Sequence, residues 1–228
     1  NARDAFYQLV LHPTKASALV TELYITAGRN RLYAEQKRAG TNGLAQKVRD
    51  LFQQDADLSR YYNQEMAGGK WNHMMDQTHI GYTNWQEPRQ NNMPAVKEIE
   101  VPEPARMGVA IEGSASAWPG ASDGPALPRF DVFNRQRRYI DVFNRGRMPF
   151  EFTASTSAAW ITLSATRGTI EKEQRIWVSV DWDKAPVGPG SGTVKIAREG
   201  GETVTVAVDS FHPAEPTRDS LEGFFEAA

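Results

Sequence analysis

The densest set of chemistry-bearing residues runs from Gly68 to Gln86, in the order Gly-Gly-Lys-Trp-Asn-His-Met-Met-Asp-Gln-Thr-His-Ile-Gly-Tyr-Thr-Asn-Trp-Gln. Lys70, Asn72, His73, Asp76, Gln77, Thr78 and His79 stand there beside Trp71, Tyr82 and Trp85. Flat aromatic faces cover the C–H surface of a sugar ring, while amides, carboxylates and imidazoles bond its hydroxyls. The segment is therefore a candidate saccharide site. A structural reading stands beside it: His and Asp side chains on a loop cap helix ends and tie domains together. Metal binding is a third reading, with a poor spacing. His73, Asp76 and His79 fall at i, i+3 and i+6, which on a helix turns the first and last ligands apart, whereas i, i+4 serves zinc. No metal and no cofactor is expected.

A second cluster is basic. Arg129, Arg135, Arg137, Arg138, Arg145 and Arg147 interleave with Phe130, Phe133, Tyr139 and Phe143. Such a patch suits single-stranded nucleic acid or an acidic polysaccharide, or it is the solvated face of a hairpin balanced by Asp131 and Asp141. Asp131-Val-Phe-Asn-Arg135 recurs as Asp141-Val-Phe-Asn-Arg145, which reads as two similar strand ends rather than a repeat architecture. His12 and His212 stand isolated and receive no functional reading. A phosphate-cradling glycine loop and a His-Glu-x-x-His pair are both missing, so neither of those enzymic signatures is visible.

Two kinds of element must position these residues. From Asp4 to Leu11 the pattern is helical, and Ala16, Val20, Leu23, Tyr24 and Ala27 then fall on one helix face. Pro13 marks a kink or the first turn of that helix. Gly40-Thr41-Asn42-Gly43 breaks the pattern. A second helix carries Leu44, Val48, Leu51, Phe52, Leu58, Tyr61 and Tyr62 and stops at Gly68-Gly69. Two long helices on a short loop make an antiparallel hairpin, which buries little alone and needs extra elements or a neighbour. Pro102 and Pro104 make residues 99–106 an extended linker.

Beyond the linker the period becomes two. Phe150, Phe152 and Ala154 alternate with Glu151 and Thr153, as do Ile176, Val178, Val180 and Trp182 with Trp177, Ser179 and Asp181. Val204, Val206 and Val208 repeat the pattern, with shorter runs at Ile161-Leu163 and Val194-Ile196. Turns are expected at Gly146, Gly168, Pro186 to Gly192 and Gly200-Gly201. Seven or eight such strands predict an antiparallel Ig-like β-sandwich of about 100 residues, with Trp160, Trp177 and Trp182 at strand positions. The expected order is a helical domain over 1–98, a linker over 99–106, a β-sandwich over 107–212 and a tail over 213–228. The fold class is α+β and multidomain, a helical hairpin or bundle followed by the sandwich.

Composition narrows the function classes. The 228 residues are 40% hydrophobic and 24% charged, with net charge −2 and no cysteine. These fractions are those of a globular chain and exclude a collagenous or fully disordered one. No run approaches the ~20 apolar residues of a membrane helix, and balanced charge gives no general drive towards nucleic acid or anionic lipid. Without cysteine there is no disulfide, thiolate nucleophile or thiolate metal site. The ends read as cut: Asn1-Ala2 as an added dipeptide, and Leu221 to Ala228 as a segment whose Phe224 and Phe225 need a surface to bury against.

The string GGKWNHMMDQTHIGYTNWQ, followed by Pro88 and Asn91-Asn-Met-Pro-Ala-Val96, resembles the C-terminal half of glycoside hydrolase family 115, the xylan α-1,2-glucuronidases. The resemblance extends upstream through Asp4 to Ser17, and downstream through Arg138 to Gly146, Trp160-Ile161 and Arg175 to Gly188. It implies a helical part and a following sandwich of a longer enzyme whose TIM-like catalytic barrel lies outside this chain. It further implies inverting removal of glucuronic acid, or its 4-O-methyl form, from xylan, and an extracellular or periplasmic location. Inversion needs an acid and a water-activating base on opposite faces of the bond, and neither is placed on this chain. The candidate substrate-binding residues are Lys70, Trp71, Asn72, His73, Asp76, His79, Tyr82 and Trp85. The implied partners are the barrel of the same polypeptide, xylan-type polysaccharide through the parent enzyme, and a second copy in a homodimer; nucleic acid and membrane are not expected. The chain alone is expected to be inactive. Competing expectations are a stand-alone binding module for acidic xylan and a structural or dimerisation domain.

Overall fold

The computed structural model describes residues 2–215. Two compact units divide the chain, one up to Glu100 and one from Val101. Expectations for residues 216–228, Phe224 and Phe225 among them, and for Asn1 lie outside the described residues.

In the first unit, α1 (Ala2–Phe6) passes through a single π-turn (Tyr7–Leu11) into α2 (His12–Gln36). Pro13 occupies the first turn of α2, directly after the π-turn; its ring removes one N–H from the continuous helical ladder at the place where the register changes. Lys37 takes the left-handed conformation, with φ 58°, and ends the helix. Its N–H reaches the Ala34 carbonyl at 3.1 Å, and that of Arg38 the Tyr33 carbonyl at 2.9 Å, so the last carbonyls are satisfied. The break is confined to Lys37–Gly40. Thr41 to Gly43, read as part of it, instead opens α3 (Thr41–Arg60). The buried Thr41 hydroxyl donates to the Arg38 carbonyl at 2.7 Å, fastening the start of the helix to the turn. A π-turn (Tyr61–Glu65) and a 3-10 turn (Met66–Gly69) close α3.

The hairpin core is Leu23 and Ala27 of α2 against Val48 and Leu51 of α3, completed by Ile80 from the following segment. Residues 77–99 have no regular secondary structure, yet they supply the third layer the two helices need, with Met93 and Val96 packed on the same core. Asn30, fully buried, holds the segment's end. Its amide donates to the carbonyls of Thr41 (3.0 Å) and Lys97 (2.9 Å), and its carbonyl oxygen accepts the Lys97 N–H at 2.7 Å. Asn42 clamps Ile99 in the same two-way manner, at 3.0 and 2.9 Å.

The second unit has nine strands among the described residues. They are β1 (Met107–Ile111), β2 (Phe130–Asp131), β3 (Arg138–Asn144), β4 (Phe150–Thr156), β5 (Ile161–Leu163), β6 (Arg167–Ile170), β7 (Glu173–Val180), β8 (Gly188–Arg198) and β9 (Thr203–His212). One sheet has the order β1-β3-β7-β5 and the other β2-β9-β8-β4-β6. Alternate residues of both sheets enter one core: Val109, Ile140 and Ile176 from the first, Phe152, Ile196 and Val206 from the second. Burying each such side chain contributes about 1.5–3 kcal/mol. The strand pairs are antiparallel except β2 with β9, which run parallel. The second unit is therefore mixed, not wholly antiparallel.

Two expected turns are strands. Gly188 to Gly192 begin β8, where Gly190 sits against Ser210 and Pro186, and Gly192 against Ile161 and Trp160, too close for a side chain. Gly168 lies in β6 opposite Phe152, whose ring a Cβ would approach to 3.0 Å. Among the tryptophans, Trp160 is buried in the core but precedes β5, Trp177 lies half-buried on β7, and Trp182 lies past its end. Not all of the basic cluster and its interleaved aromatics is free surface. Phe130 and Phe143 are fully buried, Arg138 pairs with Glu112 at 2.6 Å, and the Arg145 guanidinium reaches the Pro119 carbonyl at 2.8 Å. The repeated five residues differ in conformation: Asp131 accepts the N–H groups of Phe133 and Asn134 in a turn, whereas Asp141 sits mid-strand in β3 and takes Arg175 bidentately at 2.8 and 3.1 Å.

Candidate functional site

Backbone punctuation sets where the candidate residues face. Ala67, Gly68 and Gly69 all have positive φ (51°, 69° and 78°) and turn the chain back after α3. A second reversal is pinned by Asn91, whose side-chain oxygen accepts the N–H groups of His79 (2.7 Å) and Ile80 (2.9 Å). Gly81, at φ 96°, lies so close to Asn92 that a Cβ would stand 2.7 Å from its Cβ; only glycine fits there. Its N–H donates to the Tyr24 hydroxyl of α2 at 3.0 Å. Thr78 ties the base of the loop through its hydroxyl to Glu87 (3.0 Å) and the Pro88 carbonyl (2.7 Å).

On this frame the eight candidate residues separate into groups. His73 Nδ1 lies 2.6 Å from Asp76 Oδ2, and the other carboxylate oxygen of Asp76 accepts from Asn63 Nδ2 at 2.7 Å. Asn63 is itself fixed, because its oxygen accepts the Met75 N–H at 2.8 Å. The imidazole is thus oriented from α3's end while its body stays exposed, at a backbone φ of 69°. A His–Asp contact of this kind fixes the ring and leaves Nε2 towards solvent. Lys70 stacks its ammonium 4.7 Å from the centre of the Trp71 ring, and the Trp71 indole N–H is buried without a hydrogen-bond partner. Asn72 is exposed. Trp85, at 88% relative exposure, stands at the loop tip.

His79 and Tyr82 belong elsewhere. Both line a pocket of 430 Å³ between α2, α3 and residues 74–82. His79 Nε2 lies 2.8 Å from Asp55 Oδ2, and its Nδ1 3.1 Å from the Gln77 carbonyl. Asp55 is only 3% exposed, so this contact supplies the partner a buried carboxylate requires. His12, which the sequence left without a role, lines the same pocket at 6% exposure. Its ring lies 4.5 Å from that of Tyr62, and burial holds its imidazole below the usual histidine value, with Asp55 pulling weakly upwards. The eight residues do not form one site: His79 and Tyr82 share a pocket with His12 and Asp55, while His73 and Asp76 form a separate pair. The signal for Asp55 was present in α3, where an acidic residue falls on the inward face at the spacing of Val48 and Leu51.

A larger groove of 840 Å³ lies along α1 and the open end of the hairpin, with Phe6, Leu11, Leu19 and Tyr61 in its wall. Tyr7 in that wall has its phenol pushed up by burial and by the neighbouring Tyr61 and Tyr62. Among the described residues no group of three or more His, Asp or Glu side chains converges as metal ligands, and no helix is long and apolar enough to cross a membrane.

No protein-family model matches this chain, and no curated protein matches it. Solved structures do. A Bacteroides ovatus GH5 xyloglucanase in complex with a XXXG heptasaccharide is 23% identical over 49% of this chain, with a TM-score of 0.32. The periplasmic chaperone SfaE is 9% identical over 47% of the chain (TM-score 0.36), and PapD-like domain 7 of human CEP192 is 13% identical over 56% (TM-score 0.34). This chain spans 20% of the xyloglucanase, 58% of SfaE and 100% of the CEP192 domain.

Proposed function

We propose that this chain is a non-catalytic portion of a glycoside hydrolase resembling the xylan α-1,2-glucuronidases of family 115, and that its second unit is an Ig-like β-sandwich. One observation supports the reading above the rest. The Gly68–Gln86 run that carries the resemblance is held by a lattice of side-chain-to-backbone hydrogen bonds while His73, Tyr82 and Trp85 remain exposed. Fixing a loop costs conformational entropy, and the aromatic and imidazole groups it presents are those that meet sugar rings. In the parent enzyme, extracellular or periplasmic, the loop faces the catalytic barrel and borders its pocket, and xylan is the polymer acted upon. A homodimer belongs to the same reading.

The coding sequence upstream tests parentage: a barrel domain in the same frame is expected, and a frame that starts at this segment contradicts it. In the parent enzyme, His73→Ala should lower kcat/KM on glucuronoxylan about tenfold or more with little change in stability; wild-type kinetics would remove the loop from the site.

One observation favours a stand-alone glycan binder as a second reading. Where β3 and β7 pair, Arg175 stacks 3.7 Å over the Tyr139 ring, and Arg137, just before β3, lies 5.0 Å from the centre of the Trp177 ring, an aromatic and cationic face. Affinity electrophoresis in glucuronoxylan separates the readings, since retardation of the isolated chain, lost in Trp177→Ala, is expected only of a binder.

A further inference from the structure

We propose that the 430 Å³ pocket between α2, α3 and residues 74–82 is a binding site for a single neutral pyranose ring, a subsite of the carbohydrate-acting protein inferred above and resting on that reading. Its volume lies in the range of small-molecule pockets, about 300–1,000 Å³. Leu58, Met74 and Met75 provide an apolar wall, and Tyr82 an aromatic one. His12, Asp55 and His79 provide the polar side.

Two groups on that polar side have hydrogen-bonding capacity to spare. His12 is 6% exposed, and among the described residues neither ring nitrogen has a hydrogen-bond partner. Asp55 is 3% exposed and meets His79 through Oδ2, which leaves Oδ1 as an acceptor. A ligand hydroxyl that donates to the carboxylate makes a charge-assisted hydrogen bond, stronger than one between neutral groups. The imidazole offers one donor and one acceptor when neutral, whereas the carboxylate only accepts. Sugar hydroxyls donate and accept at once, and the ring's C–H face suits the methionine and tyrosine wall.

The same geometry selects against an acidic sugar. A ligand carboxylate would lie beside the Asp55 carboxylate, and like charges in a partly desolvated site repel. Burial keeps His12 from offering a compensating positive charge. The pocket therefore fits an uncharged backbone sugar such as xylose rather than a uronic acid.

The test uses the whole 228-residue chain with isotope-labelled histidine, titrated with xylobiose and separately with glucuronate. Xylobiose should move the His12 and His79 ring resonances saturably, with a dissociation constant in the millimolar range, and leave His73 unmoved. Glucuronate should bind about tenfold more weakly or not at all. His12→Phe keeps the ring contact with Tyr62 but removes both nitrogens, and should weaken xylobiose about tenfold. Ala16→Met, which fills the pocket from α2 one turn beyond His12, should abolish binding even if the His12 variant folds poorly. Still resonances at His12, unchanged affinity in Ala16→Met, or equal affinity for glucuronate would overturn the assignment. An inert pocket leaves the parentage tested by the upstream frame untouched, and a missing barrel would leave a sugar-binding pocket standing.

Discussion

His73 and His79 are six positions apart and read alike in the sequence, yet their surroundings differ. His73 is exposed and bonded to an exposed Asp76. His79 places both ring nitrogens against oxygen acceptors, one of them the buried Asp55. His79→Ala leaves that carboxylate without its partner and should destabilise the first unit by about 2–4 kcal/mol; the range for a fully buried pair is higher, and His79 is itself partly exposed. His73→Ala should cost no more than about 1 kcal/mol. Urea unfolding of the two variants checks this, and equal losses would contradict it. His12 adds a pH dependence. Burial lowers its folded value below the ordinary 6.5, so the unfolded chain takes up its proton first as the pH falls. Stability present above pH 6.5 is then lost as the pH drops from 6.5 through the lower folded value. Thermal melts should show Tm falling over that window, and His12→Phe should flatten the fall; parallel curves would contradict it. The polar character of residues 68–86 was legible in the sequence. Their division into two groups was not, because the deciding partner, Asp55, lies 24 positions before His79 on another element.

At the scale of elements, periodicity located what packing enforces. Leu23, Ala27, Val48 and Leu51 recur at helical spacing because one face of each helix is buried against the other. Period-two alternation marked β4, β7 and β9 because one side of each meets the shared core. The start of β8 escaped this signal. Its glycines read as turn residues, but a side chain at Gly190 would crowd Ser210 and Pro186, and one at Gly192 would crowd Ile161; the strand is defined by its pairing with β9. The π-turns at Tyr7–Leu11 and Tyr61–Glu65 also left no compositional mark. Residues 77–99 became an element through hydrogen bonds rather than secondary structure. Asn30→Ala removes three of those bonds, two of them to the Lys97 backbone. We expect a loss of about 2–4 kcal/mol, with faster amide exchange at Lys97 and Ile99 and unchanged exchange in the strands of the second unit. Uniformly faster exchange across both units would contradict the clamp.

For the whole molecule, the hydrophobic period changes near residue 100, and the chain divides into two compact units between Glu100 and Val101. The parallel pairing of β2 with β9 could not be read, because a two-residue strand carries no period. What the molecule does rests on the resemblance and on the presented loop. The most direct test is uronic acid released from glucuronoxylan, assayed with the purified 228-residue chain and with a longer polypeptide carrying the proposed upstream barrel. The account predicts no release by the chain alone and turnover by the longer protein. Release of glucuronic acid by the chain alone would contradict it.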